Sequence, residues 1–174
     1  MLGFCGDGDF PNRYLIVKLQ AILVATDFSD CSGAAFQTAA QLAQTFRAKV
    51  ILLHVISLKR VTVLSEFLKQ EPETLVATLR DRAQEQVAEF LKRWNSKGLE
   101  VESLVSVGMP FQEIAVKARD LAVDLVTIGG YGRAGRGPIE EVFFVSTAEK
   151  VVRLLPCPVL CVPLGEETPT TEAG

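Results

Sequence analysis

Histidine and tryptophan occur once each in this chain, at His54 and Trp94, and cysteine only four times. A single histidine removes the usual nitrogen ligands of a zinc centre, and Cys5, Cys31, Cys157 and Cys161 match no zinc-ligand spacing. The thiols therefore read as reduced and mostly packed. No apolar run approaches the roughly 20 residues needed to cross a bilayer, the longest being strand-sized, such as VILLHVI at 50–56. The opening MLGFCGDGDFPNRY does not pair a cationic start with an apolar core, so no secretory signal and no membrane partner are expected and the chain reads as cytoplasmic. Basic excess is lacking too: 18 Lys+Arg stand against 21 Asp+Glu, a net charge of −3, which argues against a nucleic-acid partner.

What is present is the composition of one globular domain. The 174 residues are 48% hydrophobic and 22% charged, enough to build and solvate a single core. No Ser-His-Asp set, paired acids in a defined cleft or metal cluster can be assembled, so a dedicated enzyme is not expected. Residues 1–18 read as an N-terminal extension, 19–164 as the domain, and 165–174 (GEETPTTEAG after Leu164) as a disordered polar tail.

Within the domain, apolar runs alternate with helical patterns. LQAILVA at 19–25 is a buried strand ending at Thr26-Asp27, and Ser29, Asp30 and Ser32 offer N-cap oxygens to a helix carrying Ala35, Phe36, Ala39, Leu42, Ala43 and Phe46. VILLHVI is the second strand. The segment after it, to about residue 77, is ambiguous because Pro72 interrupts its weak periodicity. From Leu79 a stripe of Ala83, Val87, Phe90, Leu91 and Trp94 marks a clear helix, with Gly98 where a C-cap glycine belongs. Strand three spans 100–107, Pro110 opens a helix with Phe111, Ile114, Ala115, Ala118 and Leu121, and strand four is DLVTIG at 124–129. A helix over 143–155 and a fifth strand, PVLCV at 158–162, complete the chain. Such alternation predicts a doubly wound α/β fold, a five-stranded parallel sheet with helices on both faces. Ligands of such sheets lie outside the carboxyl ends of the strands where the strand order reverses, here the ends at Thr26-Asp27, His54-Val55 and Ile128.

The stretch after Ile128, GGYGRAGRGPIEEVFFVST, is the richest in glycine. Gly130, Gly132 and Gly135 fit G-x-G-x-x-G, but Pro138 and Glu140-Glu141 separate them from the next helix, and no acid ends a following strand as a dinucleotide site requires. A P-loop fails as well, with Pro138 and Ile139 where Lys and Ser or Thr are needed. Glycine backbone N–H groups next to a helix N-terminus still suit an anion, and Ser146 and Thr147 either donate to it or cap the helix.

Taken together, VATDFSD at 24–30, VILLHVI at 50–56, VGMPFQEI at 107–114, DLVTIGGYGRAG at 124–135 and STAEKVVRLLPCPVLCV at 146–162 resemble the universal stress protein family. The resemblance runs over about residues 19–163 and implies a Rossmann-like fold and, in one branch of the family, an ATP site. In that branch strand four leads into G-x2-G-x9-G-[ST], of which Gly129 and Gly132 supply the first half. The implied nucleotide-binding positions are Ala25, Thr26, Asp27, Val55, Ile128, Gly129, Gly132, Val145, Ser146 and Thr147. They would take ATP or AMP, with room for Mg2+ carried by the nucleotide and no metal site made by the protein. The second half of the motif departs from the family: twelve residues, not nine, separate Gly132 from the position before Ser146, and that position is Val145 instead of glycine. A branched side chain stands where backbone would approach phosphate, and Glu140 and Glu141 add like charge that Arg133 and Arg136 would offset.

Two functions follow as expectations. One is a stress-response regulator that binds an adenine nucleotide. The other is a dimeric stress protein without nucleotide affinity that acts as a protein-interaction module, as another branch of the family does. Either would form a homodimer through the edge of strand five, with the further protein partner unidentified. If Val145 obstructs the phosphates, Val145→Gly tightens ATP binding by about tenfold in a calorimetric titration, a gain of roughly 1.4 kcal/mol; an unchanged Kd would show that the valine does not face the nucleotide.

Overall fold

The computed structural model describes residues 19–94, 96–130, 147–154 and 157–163. Its elements are β1 (Ala21–Thr26), α1 (Asp30–Phe46), β2 (Lys49–Ser57), α2 (Leu58–Leu68), α3 (Pro72–Arg93), β3 (Val101–Gly108), α4 (Pro110–Asp120), β4 (Leu125–Gly129), α5 (Thr147–Leu154) and β5 (Val159–Val162). All strand pairings are parallel, and the order across the sheet is β3-β2-β1-β4-β5. The expected doubly wound α/β sheet is therefore present, and its order reverses between β1 and β4.

The alternation of side chains along each strand sorts the core into two layers. Leu23, Ala25, Ile51, Leu53, Val126 and Ile128 face Ile114 and Ala118 of α4 and Ala148 and Val151 of α5. Ile22, Val24, Val50 and Leu52 face Phe36, Ala39 and Ala43 of α1 and Val87 and Phe90 of α3. Central strands buried on both sides need apolar residues at every position, which is why β1 is buried throughout. Thr127 is the exception in β4: fully buried, its hydroxyl has no hydrogen-bond partner among the described residues.

The ambiguous segment after β2 resolves into two helices. Lys69 takes the left-handed conformation (φ 52°), its N–H and that of Gln70 both reach the Ser65 carbonyl, and α2 stops there. Pro72 then stands at the first position of α3, where its missing N–H costs nothing; it starts a helix instead of interrupting one, so the stripe beginning at Leu79 belongs to a helix that starts about two turns earlier. Val61, Leu75 and Ala83 join the two helices with Ile56. Gly98 is not the cap residue expected of it. The helix ends at Trp94, and Gly98 adopts φ 77° in the turn that follows. The helix expected over 143–155 is seen as α5 over 147–154, its outer positions, like the expected extension and tail, lying outside the described residues.

At the lower end of the sheet, Asp124 accepts the N–H groups of Gln20 (2.7 Å) and Ala21 (3.0 Å), fastening the start of β1 to the start of β4. At the upper end, α3 docks on the first turn of α1. Arg93 bonds Asp30 at 2.8 Å and lies over the Trp94 ring, while Trp94 covers Gly33 so closely that a Cβ there would sit 2.0 Å from the indole. Gly33→Ala is therefore expected to destabilise the protein by about 1–3 kcal/mol in urea titrations through overpacking. In a Trp94→Ala background the same change should become stabilising by about 0.5–1 kcal/mol, the ordinary helical preference for Ala over Gly.

Candidate functional site

The carboxyl ends of β1, β2 and β4 meet at the reversal of strand order. The register pairs Thr26 with His54 and Ala25 with Ile128, so carrying both forward sets Asp27 level with Val55 and Gly130. Two of the positions expected to contact a nucleotide, Asp27 and Val55, thus stand side by side, with Gly130 on the β4 side of Asp27.

The chain turns sharply after β1, and a set of short hydrogen bonds holds the turn. Ser32 donates its hydroxyl proton to the Ser29 carbonyl (2.8 Å), which leaves its oxygen to accept from the Thr26 hydroxyl (2.9 Å). The Thr26 oxygen in turn accepts the Phe28 N–H (2.9 Å). Asp27 Oδ1 accepts both the N–H (3.0 Å) and the hydroxyl of Ser29, and the Ser29 oxygen caps α1 by accepting the Ser32 N–H (3.3 Å). Of the three cap candidates in the sequence, Ser29 holds the cap. Asp27 orients it without itself capping the helix.

This arrangement forces Phe28 into the left-handed region (φ 64°), an unusual conformation for a bulky side chain that costs about 1–2 kcal/mol. Its ring stacks on His54 (centroids 4.3 Å apart, 28° between planes) and meets Phe90 of α3 edge-on (6.0 Å, 66°). His54 places Nδ1 2.9 Å from the Thr26 carbonyl; a carbonyl only accepts, so Nδ1 carries the proton. The sole histidine is thus a packed residue within β2, level with the last residue of β1, that ties β2 to the β1 turn.

On the other side of the crevice, Gly129 lies against α1. A Cβ on it would come 2.8 Å from the carbonyl carbon and 2.9 Å from the carbonyl oxygen of Cys31, so only glycine allows the end of β4 to approach the first turn of α1 this closely. Gly130 donates its N–H to the Val162 carbonyl at 2.8 Å, binding the start of the glycine stretch to the end of β5. Ala25, Thr26 and Ile128 are buried strand ends, Val55 is half-buried against the α4–α5 side, and Thr147 is exposed as the first residue of α5. Gly132, Val145 and Ser146 lie outside the described residues. Sequence reasoning missed Phe28 and Trp94 as organisers of this turn: a left-handed Phe leaves no pattern in composition, and the Trp94–Gly33 contact joins distant parts of the chain.

No group of three or more His, Cys, Asp or Glu able to hold a metal occurs among the described residues. Burial, reinforced by the Asp124 charge, pushes the Cys157 thiol above its ordinary pKa, so it stays protonated at neutral pH and is a poor nucleophile. Chemically the crevice offers an acidic side chain already engaged with Ser29, strand-end backbone groups and a capped helix start. Such groups suit the holding of a polar ligand, and no nucleophile paired with a base is assembled among the described residues.

The fold is that of a doubly wound α/β protein whose strand order reverses between β1 and β4. A profile of the universal stress protein family matches residues 18–163, and the chain belongs to that family. Among its relatives, Universal stress protein YxiE of Bacillus subtilis is 31% identical over 146 residues, covering 81% of this chain and 97% of that protein. The solved structure of MJ0577 from Methanocaldococcus jannaschii superposes with a TM-score of 0.72 at 28% identity, covering 86% of this chain and 99% of that one. More distant structures share the fold. They include a universal stress protein in complex with cAMP (TM-score 0.57, 23% identity, 82% and 95% covered) and one from Archaeoglobus fulgidus in complex with dAMP (0.56, 20%, 84% and 99%).

Proposed function

We propose that this protein is a cytoplasmic stress-response regulator that binds an adenine nucleotide, ATP or AMP, across the carboxyl ends of β1, β2 and β4. The observation that carries this reading is the convergence of Asp27, Val55 and Gly129-Gly130 at the reversal of strand order, beside the N-terminus of α1. Asp27 and the Val55 backbone would hold the adenosine end. Gly129 and Gly132, with Val145, Ser146 and Thr147, would line the phosphate end, and any Mg2+ would arrive with the nucleotide. Family members solved with cAMP and dAMP support an adenine ligand for this architecture. In this reading the nucleotide sets a conformation or partner surface, and the crevice performs no dedicated chemistry. A homodimer through the outer edge of β5 (Val159–Val162) is part of the proposal.

A second reading rests on Val145 and the three additional residues before it: a family member that has given up nucleotide affinity and works as a dimeric interaction module. Heat denaturation of the purified protein followed by chromatography separates the two. Release of adenine nucleotide, and saturable ATP binding by the emptied protein, are expected. Asp27→Ala should weaken that binding by about tenfold or more, the worth of one hydrogen bond to a charged group. Neither release nor saturation at millimolar ATP would leave the interaction module as the function.

A further inference from the structure

α2 carries an apolar face that the fold does not use. Its inner side is spent on α3 and β2, with Val61 and Ser65 buried beside Leu75, Ala83 and Ile56. Its outer side exposes Val63 (57%) and Phe67 (81%), one turn apart on one stripe, flanked by the half-buried Leu64 and by Leu68 (52%). Four of the ten exposed large hydrophobic residues among those described lie in this one 11-residue helix. Of these, Val63 and Phe67 form the outer stripe, while Leu58 and Leu68 fall nearer the Val61–Ser65 side at about 100° per residue; exposed apolar side chains gathered on one short helix mark an interaction surface.

The charges around the stripe identify its occupant. Lys59 and Arg60 stand at its N-terminal end; Glu66, Glu71 and Glu73, against Lys69 alone, stand at its C-terminal end. All six are exposed, and none is in an ion pair among the described residues. One end therefore sums to two positive charges and the other to two negative. A surface with that polarity is complementary to itself when a two-fold axis lays it antiparallel on a second copy: Val63 meets the partner's Phe67, each basic end covers an acidic end, and the two helix dipoles oppose. An anionic membrane fits less well, because three carboxylates would face the headgroups.

We infer that α2 is a second self-association surface, through which two copies of this chain pair antiparallel about Val63 and Phe67. It lies on the β2–β3 half of the sheet, across β1 and β4 from the β5 edge, so both contacts can form at once and join dimers into larger assemblies. A face of one short helix is smaller than the roughly 800 Å² per partner of a stable interface, so the association is weak, concentration-dependent and available for regulation.

Sedimentation velocity of the full chain from about 10 µM to 1 mM tests this, a range suited to weak complexes. The weight-average mass should climb with concentration for the wild type and stay at its low-concentration plateau for Phe67→Ser, a change too exposed to threaten folding. Lys59→Glu with Arg60→Glu should weaken the association at least tenfold, and adding Glu71→Lys with Glu73→Lys should restore it. A flat wild-type mass, a Phe67→Ser variant that climbs like the wild type, or a charge reversal that the swap does not rescue would overturn the inference. So would Phe67-dependent sedimentation with phosphatidylserine vesicles in the absence of self-association.

Discussion

The bond between the Thr26 and Ser32 hydroxyls fixes more of this protein than any other single contact. Both residues are buried, and each hydroxyl has a second partner in the same turn, Ser32 donating to the Ser29 carbonyl and Thr26 accepting the Phe28 N–H, so the bond links two halves of one network. Joined, they tie the last residue of β1 to the first turn of α1, and in the turn between them Phe28 is left-handed, Asp27 folds back on Ser29, and Ser29 caps the helix. The stacking of Phe28 on His54 and its edge-on contact with Phe90, together with the satisfied N–H of Phe28, offset the strain at that residue. The same turn brings Cys31 against Gly129, so the spacing between β1 and β4 at the crevice follows from it as well.

From that fixed point the rest of the architecture distributes its tasks. The two-sided core holds the strands in register and needs no polar chemistry. Asp124 ties the opposite end of β1 to β4, so the sheet is fastened both below and above the buried run. α3 secures the turn from outside through Phe90, Arg93 and Trp94. The floor of the crevice is consequently made of strand ends, Gly129-Gly130 and one helix start, held by these contacts. Rigid positioning of a few backbone groups is what nucleotide binding at a switch point requires.

Much of the fold was legible because buried parallel strands are written as unbroken apolar runs, and ILVA, VILLHVI and LVTIG admit few other readings. The end of β1 before Asp27 followed directly, whereas β2 runs past the expected His54-Val55 end to Ser57 because β3 continues to pair with it there. The segment between β2 and α3 was not legible, since α2 and α3 meet at a left-handed lysine and their apolar periods fall out of phase; Pro72 then looked like a break when it was a beginning. Ser29, Asp30 and Ser32 were equal candidates for the cap in sequence, and only the hydrogen-bond geometry assigned Ser29. Phe28 and Trp94 act through contacts that no local pattern encodes. Of the glycine stretch that sequence singled out, Gly129 and Gly130 have a physical explanation in close backbone approach and a bond to β5.

The central claim is that the crevice organised by the β1–α1 turn receives the adenine nucleotide. A 15N-resolved NMR titration with ATP tests it most directly. Amide resonances of Asp27, Phe28, Val55, Gly129 and Gly130 should shift together along one saturating curve, while those of Asp124 and of β3 stay in place. Saturable binding that leaves these five amides unmoved and perturbs another part of the sheet would contradict the account.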